Sequence, residues 1–339
     1  MQNEIIHSGE LLNINGDLTQ KGWAKELLLH YNRPNIRTSK LKIKEWDYYC
    51  ILNEKFGVAF TIADNGYIGL ISITLLDFLI PTQWTKTILI PFPLGKFNMP
   101  STSHKGNVVY NNKKCRLEFI KEGEYRYLKV NIKEFNKVDT LEGEITLHQP
   151  NNLESMVIAT PFYKKHRFYY NQKINCMKAY GNLILGNKNY NFNTIPSFGV
   201  LDWGRGVWTY SNKWYWGSLS GTINNQSFGF NIGYGFGDTS NASENMLFYK
   251  DKAHKLDKVT FVIPNDSYVK PWTFTSNDNR FEMNFDPIID RHSNSNILVI
   301  KSNQHQVFGY YSGKVILDSG QELKVNNLLG FAEEVTNRW

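Results

Sequence analysis

Short apolar or alternating runs, each closed by turn residues, recur at roughly ten-residue intervals along most of this chain, a spacing typical of antiparallel β barrels and sandwiches. Residues 46–52, 58–63 and 69–77 follow one another across Asn53-Glu54 and Asn65-Gly66. Asn-Gly between two such runs is a strong hairpin signal, because both residues tolerate the positive φ of a tight hairpin turn. Further pairs are predicted: 116–120 with 126–132 across Glu122-Gly123, and 213–220 with 227–232 across Asn224-Asn225. Strands are also expected at 142–148, 259–263 and 272–274, with 280–285 pairing 297–301 and 306–317 pairing 321–325. The clearest helix candidate is the short segment 25–31.

The predicted class is therefore all-β with little helix. A chain of 339 residues exceeds most single small cores and suits two barrels. A duplication supports that division. Trp46-Asp47-Tyr48-Tyr49 opens one hairpin, and Trp214-Tyr215-Trp216-Gly217 opens another of the same character in the second half. The expected domains are residues 1–175 and 176–339. The 14% aromatic content fits the same class, since aromatic rings suit pleated, half-buried surfaces.

The net charge of +7 raises the question of an anionic partner. The lysines are scattered, however, and the densest run, Lys164-Lys165-His166-Arg167, is short, so a solvated basic surface is expected and no nucleic acid. Cys50, Cys115 and Cys176 are widely spaced with no CxxC, which predicts buried thiols in a reducing, cytoplasmic protein. The N-terminus carries acids and no apolar core, so no signal peptide is expected. The run 67–81 holds Asp77 and falls short of a membrane helix of about 20 residues. No motif calls for a cofactor or a metal.

Chemistry concentrates in residues 197–222, SFGVLDWGRGVWTYSNKWYWGSLSGT, with Trp203, Trp208, Trp214 and Trp216 around one acid and one arginine. On a strand, Asp202 and Gly204 face one way and Trp203 and Arg205 the other. A carboxyl stripped of water among indole rings becomes a weaker acid, as a proton donor near neutral pH requires. The competing explanation is a structural ion pair between Asp202 and Arg205. A second constellation is Asn231, the loop GYGFGD with Tyr234, then Glu244 and Asn245, where an acid and an amide side by side can orient a polar head group. No lysine follows its glycines and no βαβ pattern surrounds them, so a nucleotide loop is a poor match and a tight barrel corner is expected. Glu282 and Asp286 share a strand face and raise an acid–base pair for carbohydrate chemistry, with tryptophans as sugar platforms. His254 and His305 each stand alone.

SFGVLDWGRGVWTY, WYWGS, GYGFGDTSNASENMLF, RFEMNFDPIIDR, HQVFGYYSGKVILD and the terminal GFAEEVTNRW resemble the domain-of-unknown-function family 2804. ATPFYKKHRFYYNQKINCM and KEWDYY fit it too, and the resemblance covers nearly the whole chain. That family is similar to lipocalin-like (calycin) proteins such as carotenoid hydratases and tocopherol cyclases. The resemblance implies two consecutive lipocalin-like β-barrels and an aromatic cavity for a small apolar or amphipathic molecule, isoprenoid- or lipid-like. Acid-catalysed hydration, cyclisation or isomerisation would then fall to Asp202, with Arg205 and Glu244 as further catalytic candidates. Trp203, Trp208, Trp214, Trp216, Asn231, Tyr234, Asn245 and His305 are the candidate ligand contacts. A non-catalytic lipid carrier remains the simpler alternative.

Overall fold

The computed structural model describes residues 2–297 and 300–338. The chain is all-β: among the described residues the only helices are two 3-10 turns, Arg33–Asn35 and Lys40–Lys42. Two curled antiparallel sheets, of 13 and nine strands, form half-barrels, consistent with two lipocalin-like barrels. The first sheet runs through Phe198–Val207, and the second begins at Ser211–Ile223. No helix among the described residues is long and apolar enough to cross a membrane.

Each sheet wraps its own apolar core. Phe60, Leu117, Leu147, Tyr170 and Trp203 fill the first, and Phe230, Trp272, Phe285 and Tyr311 the second. The duplicated hairpins have matching settings. Lys44–Leu52 pairs on one side with Phe56–Asp64 and on the other with Phe198–Val207, the last strand of its sheet. Ser211–Ile223 likewise pairs with Gln226–Tyr234 and with Glu322–Arg338, the last strand of the second. The predicted turns form as expected, with Gly66, Gly123, Asn224 and Asn225 all at positive φ.

Two expectations need correction. No helix forms at 25–31: Leu29–His30 pairs in parallel with Gly9–Glu10. Tyr170 Oη holds this strand, accepting from the Leu29 amide at 3.2 Å and donating to the Leu29 carbonyl at 2.9 Å. Seven residues are too few to sustain a helix without such help, and tertiary bonds decide. Residues 280–285 do not pair with 297–301. Phe281–Ile297 is one 17-residue strand, so its start, Phe281, lies opposite Val315 at the far end of Ile300–Ile316. The polar stretch DRHSNSN concealed its continuation, because nothing apolar alternates there.

The sheets pack through their outer faces. Tyr48, Val200, Trp216, Phe308 and Phe331 form one apolar contact between them; Tyr169, Cys176, Trp208, Met246 and Phe248 form another. A bulge in Phe168–Leu185 fastens them further, with Asn175 Nδ2 donating to Ser218 Oγ at 2.9 Å and to the Leu219 and Phe230 carbonyls, both at 3.1 Å. All three cysteines are free and buried.

Candidate active site between the two sheets

Between these contacts lies a cavity of about 230 Å³, walled by Trp46, Trp208, Trp214, Trp216, Tyr169 and Phe236. Its polar lining comes from two cross-strand rows. In the first sheet Lys173, Asp202, Tyr48, Thr61 and Ser72 lie directly opposite one another on successive strands. In the second, Trp216, Glu333, Gln306 and Arg291 do the same. All nine line the cavity. The rows run side by side: Lys173 Nζ sits 3.7 Å from the Trp216 ring centroid, and two strands along Gln306 Nε2 donates to Tyr48 Oη at 3.2 Å.

The duplication thereby brings two acids together. Asp202 stands opposite Tyr48 and Glu333 opposite Trp216, each on the last strand of its sheet beside the aromatic hairpin. Asp202 Oδ2 lies 2.9 Å from Lys173 Nζ, and Asn171 Nδ2 donates to Oδ1 at 2.6 Å. Among the described residues Glu333 takes only neutral donors, from Trp214 Nε1 at 3.0 Å, Gln306 Nε2 at 3.1 Å and Gln304 Nε2 at 3.4 Å. Burial pushes the Glu333 carboxyl up to about 7. A third acid, Glu244, also lines the cavity, and loss of water raises its pKa. Asn231 ties it in, accepting from Trp216 Nε1 at 2.6 Å and donating to the Glu244 carbonyl at 2.8 Å.

Two glycines open this space. A Cβ on Gly204 would lie 2.1 Å from the Trp46 ring, and one on Gly233 would lie 2.8 Å from Glu244 Oε1. Any larger residue would displace a cavity wall or its acid. The GYGFGD corner, with Gly235 and Gly237 at positive φ, carries Phe236 into the wall against Trp208 and Trp214, centroids 5.3 Å away in each case.

Strand alternation divides the predicted residues. Asp202 faces the cavity, whereas Trp203 and Arg205 enter the core of the first sheet. There Arg205 pairs with Asp47 at 3.0 Å, so the postulated Asp202–Arg205 ion pair is absent and each has another partner. Trp208, Trp214, Trp216 and Glu244 line the cavity, with Asn231 behind them. Tyr234 stacks on Tyr215 with centroids 4.6 Å apart, outside the lining. Asn245 is buried, accepting from the Gly233 amide at 2.7 Å and donating to the Asp257 carbonyl at 2.7 Å. His305 pairs with Asp290 at 2.7 Å, and His254 with Asp318 at 3.2 Å. Glu282 and Asp286 also lie outside the lining, four residues apart on a strand, a Cα separation of about 13 Å, beyond an ordinary glycosidase carboxyl pair.

Lys173, Gln306, Trp46 and Tyr48 also line the cavity, although the motif reading did not single them out as site candidates. Glu333, expected in a polar chain end, lines it too, as does Arg291, which was expected in a turn ion pair with Asp290 but instead bonds Gln306 while Asp290 pairs with His305. Tyr48 and Trp46 carried one usable signal, the duplicated aromatic hairpin. Lys173 and Glu333 carried none, because their roles depend on cross-strand register.

The fold and site define a two-half-barrel β protein with a polar, tryptophan-walled cavity between its halves. The chain belongs to the family described as domain of unknown function (DUF2804), whose model matches residues 2–339. No curated protein matches it in sequence. Among solved structures it is similar to kievitone hydratase from Nectria haematococca, at 10% identity and TM-score 0.51, covering 98% of each chain. CghA crystallised with Sch210972 is similar at 9% identity and TM-score 0.54, covering 98% of this chain and 97% of that one. An AttH-like protein of Nitrosomonas europaea, at 10% identity and TM-score 0.54, covers 90% of this chain and 96% of its own. These likenesses establish a shared fold.

Proposed function

We propose that the cavity binds a small amphipathic molecule and performs acid–base chemistry on it, of the hydration or cyclisation type. Glu333 carries this reading: a buried carboxyl with a pKa of about 7, held by neutral donors beside a tryptophan-walled space. Such a group is substantially protonated at neutral pH and matches the pKa a general acid needs. Kievitone hydratase, named for a hydration, shares the fold and lends analogy.

In this reading Glu333 delivers a proton to a double bond of the substrate. Positive charge developing on carbon faces indole rings, each worth about 0.5–2 kcal/mol of cation–π stabilisation. Asp202, kept beside Lys173, supplies the carboxylate that orients water or takes up the departing proton. Glu244 is a reserve acid at the Trp216 end, positioned through Asn231. Arg205 acts at a distance, by fixing the strand that presents Asp202. The free, buried cysteines fit a cytoplasmic setting.

The test is native mass spectrometry of the purified protein with solvent extraction of bound material, for the wild type, Glu333→Gln and Asp202→Asn. The expected result is a stoichiometric small molecule, with the Glu333→Gln protein trapping a species that differs by one water or is an isomer. Identical species in all three would leave a carrier without chemistry. A folded but empty wild type would end the binding reading.

A further inference from the structure

The two rows lining the cavity are balanced unequally. In the first, Lys173 is neutralised by Asp202 and covered by the Trp216 ring. In the second, Arg291 lines the same cavity and has no carboxylate in contact among the described residues. Among the described residues, its hydrogen bond goes to a neutral acceptor, Gln306 Oε1, at 2.7 Å. Gln306 stands between Arg291 and Glu333 in the row, its other end donating to Glu333 Oε2 at 3.1 Å. Glu333 does not touch Arg291 directly: Gln306 stands between them, bonded to each. A half-buried guanidinium at the cavity edge pairs best with a planar, two-oxygen anion, which its fork can grip with two parallel bonds.

The register locates the rest of such a subsite. Tyr48 and Gln306 meet across the cavity, and one strand further along each row lie Thr61 and Arg291, followed on the first sheet by Ser72. Thr61 and Ser72 both line the cavity, so a guanidinium and two hydroxyls share the end remote from Lys173. At about 30 Å³ per water-sized unit, 230 Å³ holds roughly eight such units, the scale of a medium-length chain or a compact ring system.

We infer that the cavity selects amphiphiles bearing a carboxylate, with the carboxylate held by Arg291, Thr61 and Ser72 and the apolar body against the tryptophans. This rests on the binding reading proposed above and adds the head group and its orientation. The substrate's far end then lies beside Glu333 and Asp202, and the reacting carbon is remote from the carboxylate.

Octanoate and octan-1-ol, titrated by tryptophan fluorescence and calorimetry into the full chain, test this directly. Octanoate should bind at least tenfold more tightly than the alcohol. Arg291→Gln should remove that preference by weakening octanoate alone, whereas Arg291→Lys should retain part of it. Thr61→Val gives an independent reading of the same subsite and should weaken octanoate several-fold. Equal affinities for acid and alcohol in the wild type would overturn the head-group assignment while leaving the cavity reading intact. An octanoate preference that survives Arg291→Gln would also overturn it, assigning the selectivity to another cation, such as Lys173 in the same cavity. Failure of both probes to bind would remove the cavity reading as well.

Discussion

One strand, Phe198–Val207, carries two cation–carboxylate pairs of opposite design on its two faces. Inward, Arg205 is fully buried and each of its three side-chain nitrogens bonds, to Asp47 Oδ1 or to the carbonyls of Trp46, Gly204 and Pro100, with the Trp203 ring centroid 4.2 Å away. Outward, Lys173 and Asp202 form a pair that borders open space. The closed pair lies in the core of the first sheet and does not line the cavity, whereas the open one does. Composition alone would class the two together, yet the side of the strand decides which is architecture and which is chemistry.

The largest expected effect tests the closed pair. Asp47→Ala strands a buried guanidinium and should cost about 3–5 kcal/mol of stability by urea denaturation. Asp202→Asn should cost less, about 2 kcal/mol, because Lys173 keeps its indole contact and borders the cavity. Equal losses would abolish the distinction between the faces.

The cavity side should also reveal itself through pH. The Glu333 carboxyl holds its proton more tightly folded, near 7, than in the unfolded chain, near 4.5. The native state therefore binds more protons across that interval, and stability should fall as pH rises from about 4.5 to about 7, then level off. At 1.36 kcal/mol per pKa unit this loss is on the order of 3 kcal/mol. Glu333→Gln should flatten that part of the profile; an unchanged slope would show that Glu333 is not the titrating group.

Two tryptophans sharpen the contrast at smaller scale. Trp216→Phe leaves the Asn231 oxygen without its indole donor and should cost about 1–3 kcal/mol. Trp203 Nε1 is buried without a partner, so Trp203→Phe removes an unsatisfied donor as well as ring volume. The net change there should stay within about 1 kcal/mol in the same denaturation assay.

Local rules made the strands and turns readable. Asn65-Gly66 and Asn224-Asn225 announce their hairpins through backbone conformations that few other residues accept. The faces of the Asp202 strand followed from period-two alternation, and its importance from four nearby tryptophans. What escaped depends on long-range register. Lys173 and Asp202 are 29 residues apart, and no local pattern says they stand opposite each other. Glu333 reads as part of a polar chain end until the last strand is placed beside Trp216. The segment 25–31 misled for a related reason: a distant hydroxyl, on Tyr170, settles its backbone.

Lipocalins hold their ligand inside a barrel. Here apolar side chains fill the core of each half, and the cavity described above lies where one half leans on the other. Selection on specificity can therefore work at a seam, changing the guest without repacking either core. The same seam binds the evolution of the two halves together, because a replacement on one wall alters the fit of every residue on the opposite wall. Chimeras that exchange a half between family members should fold well and yet lose recognition.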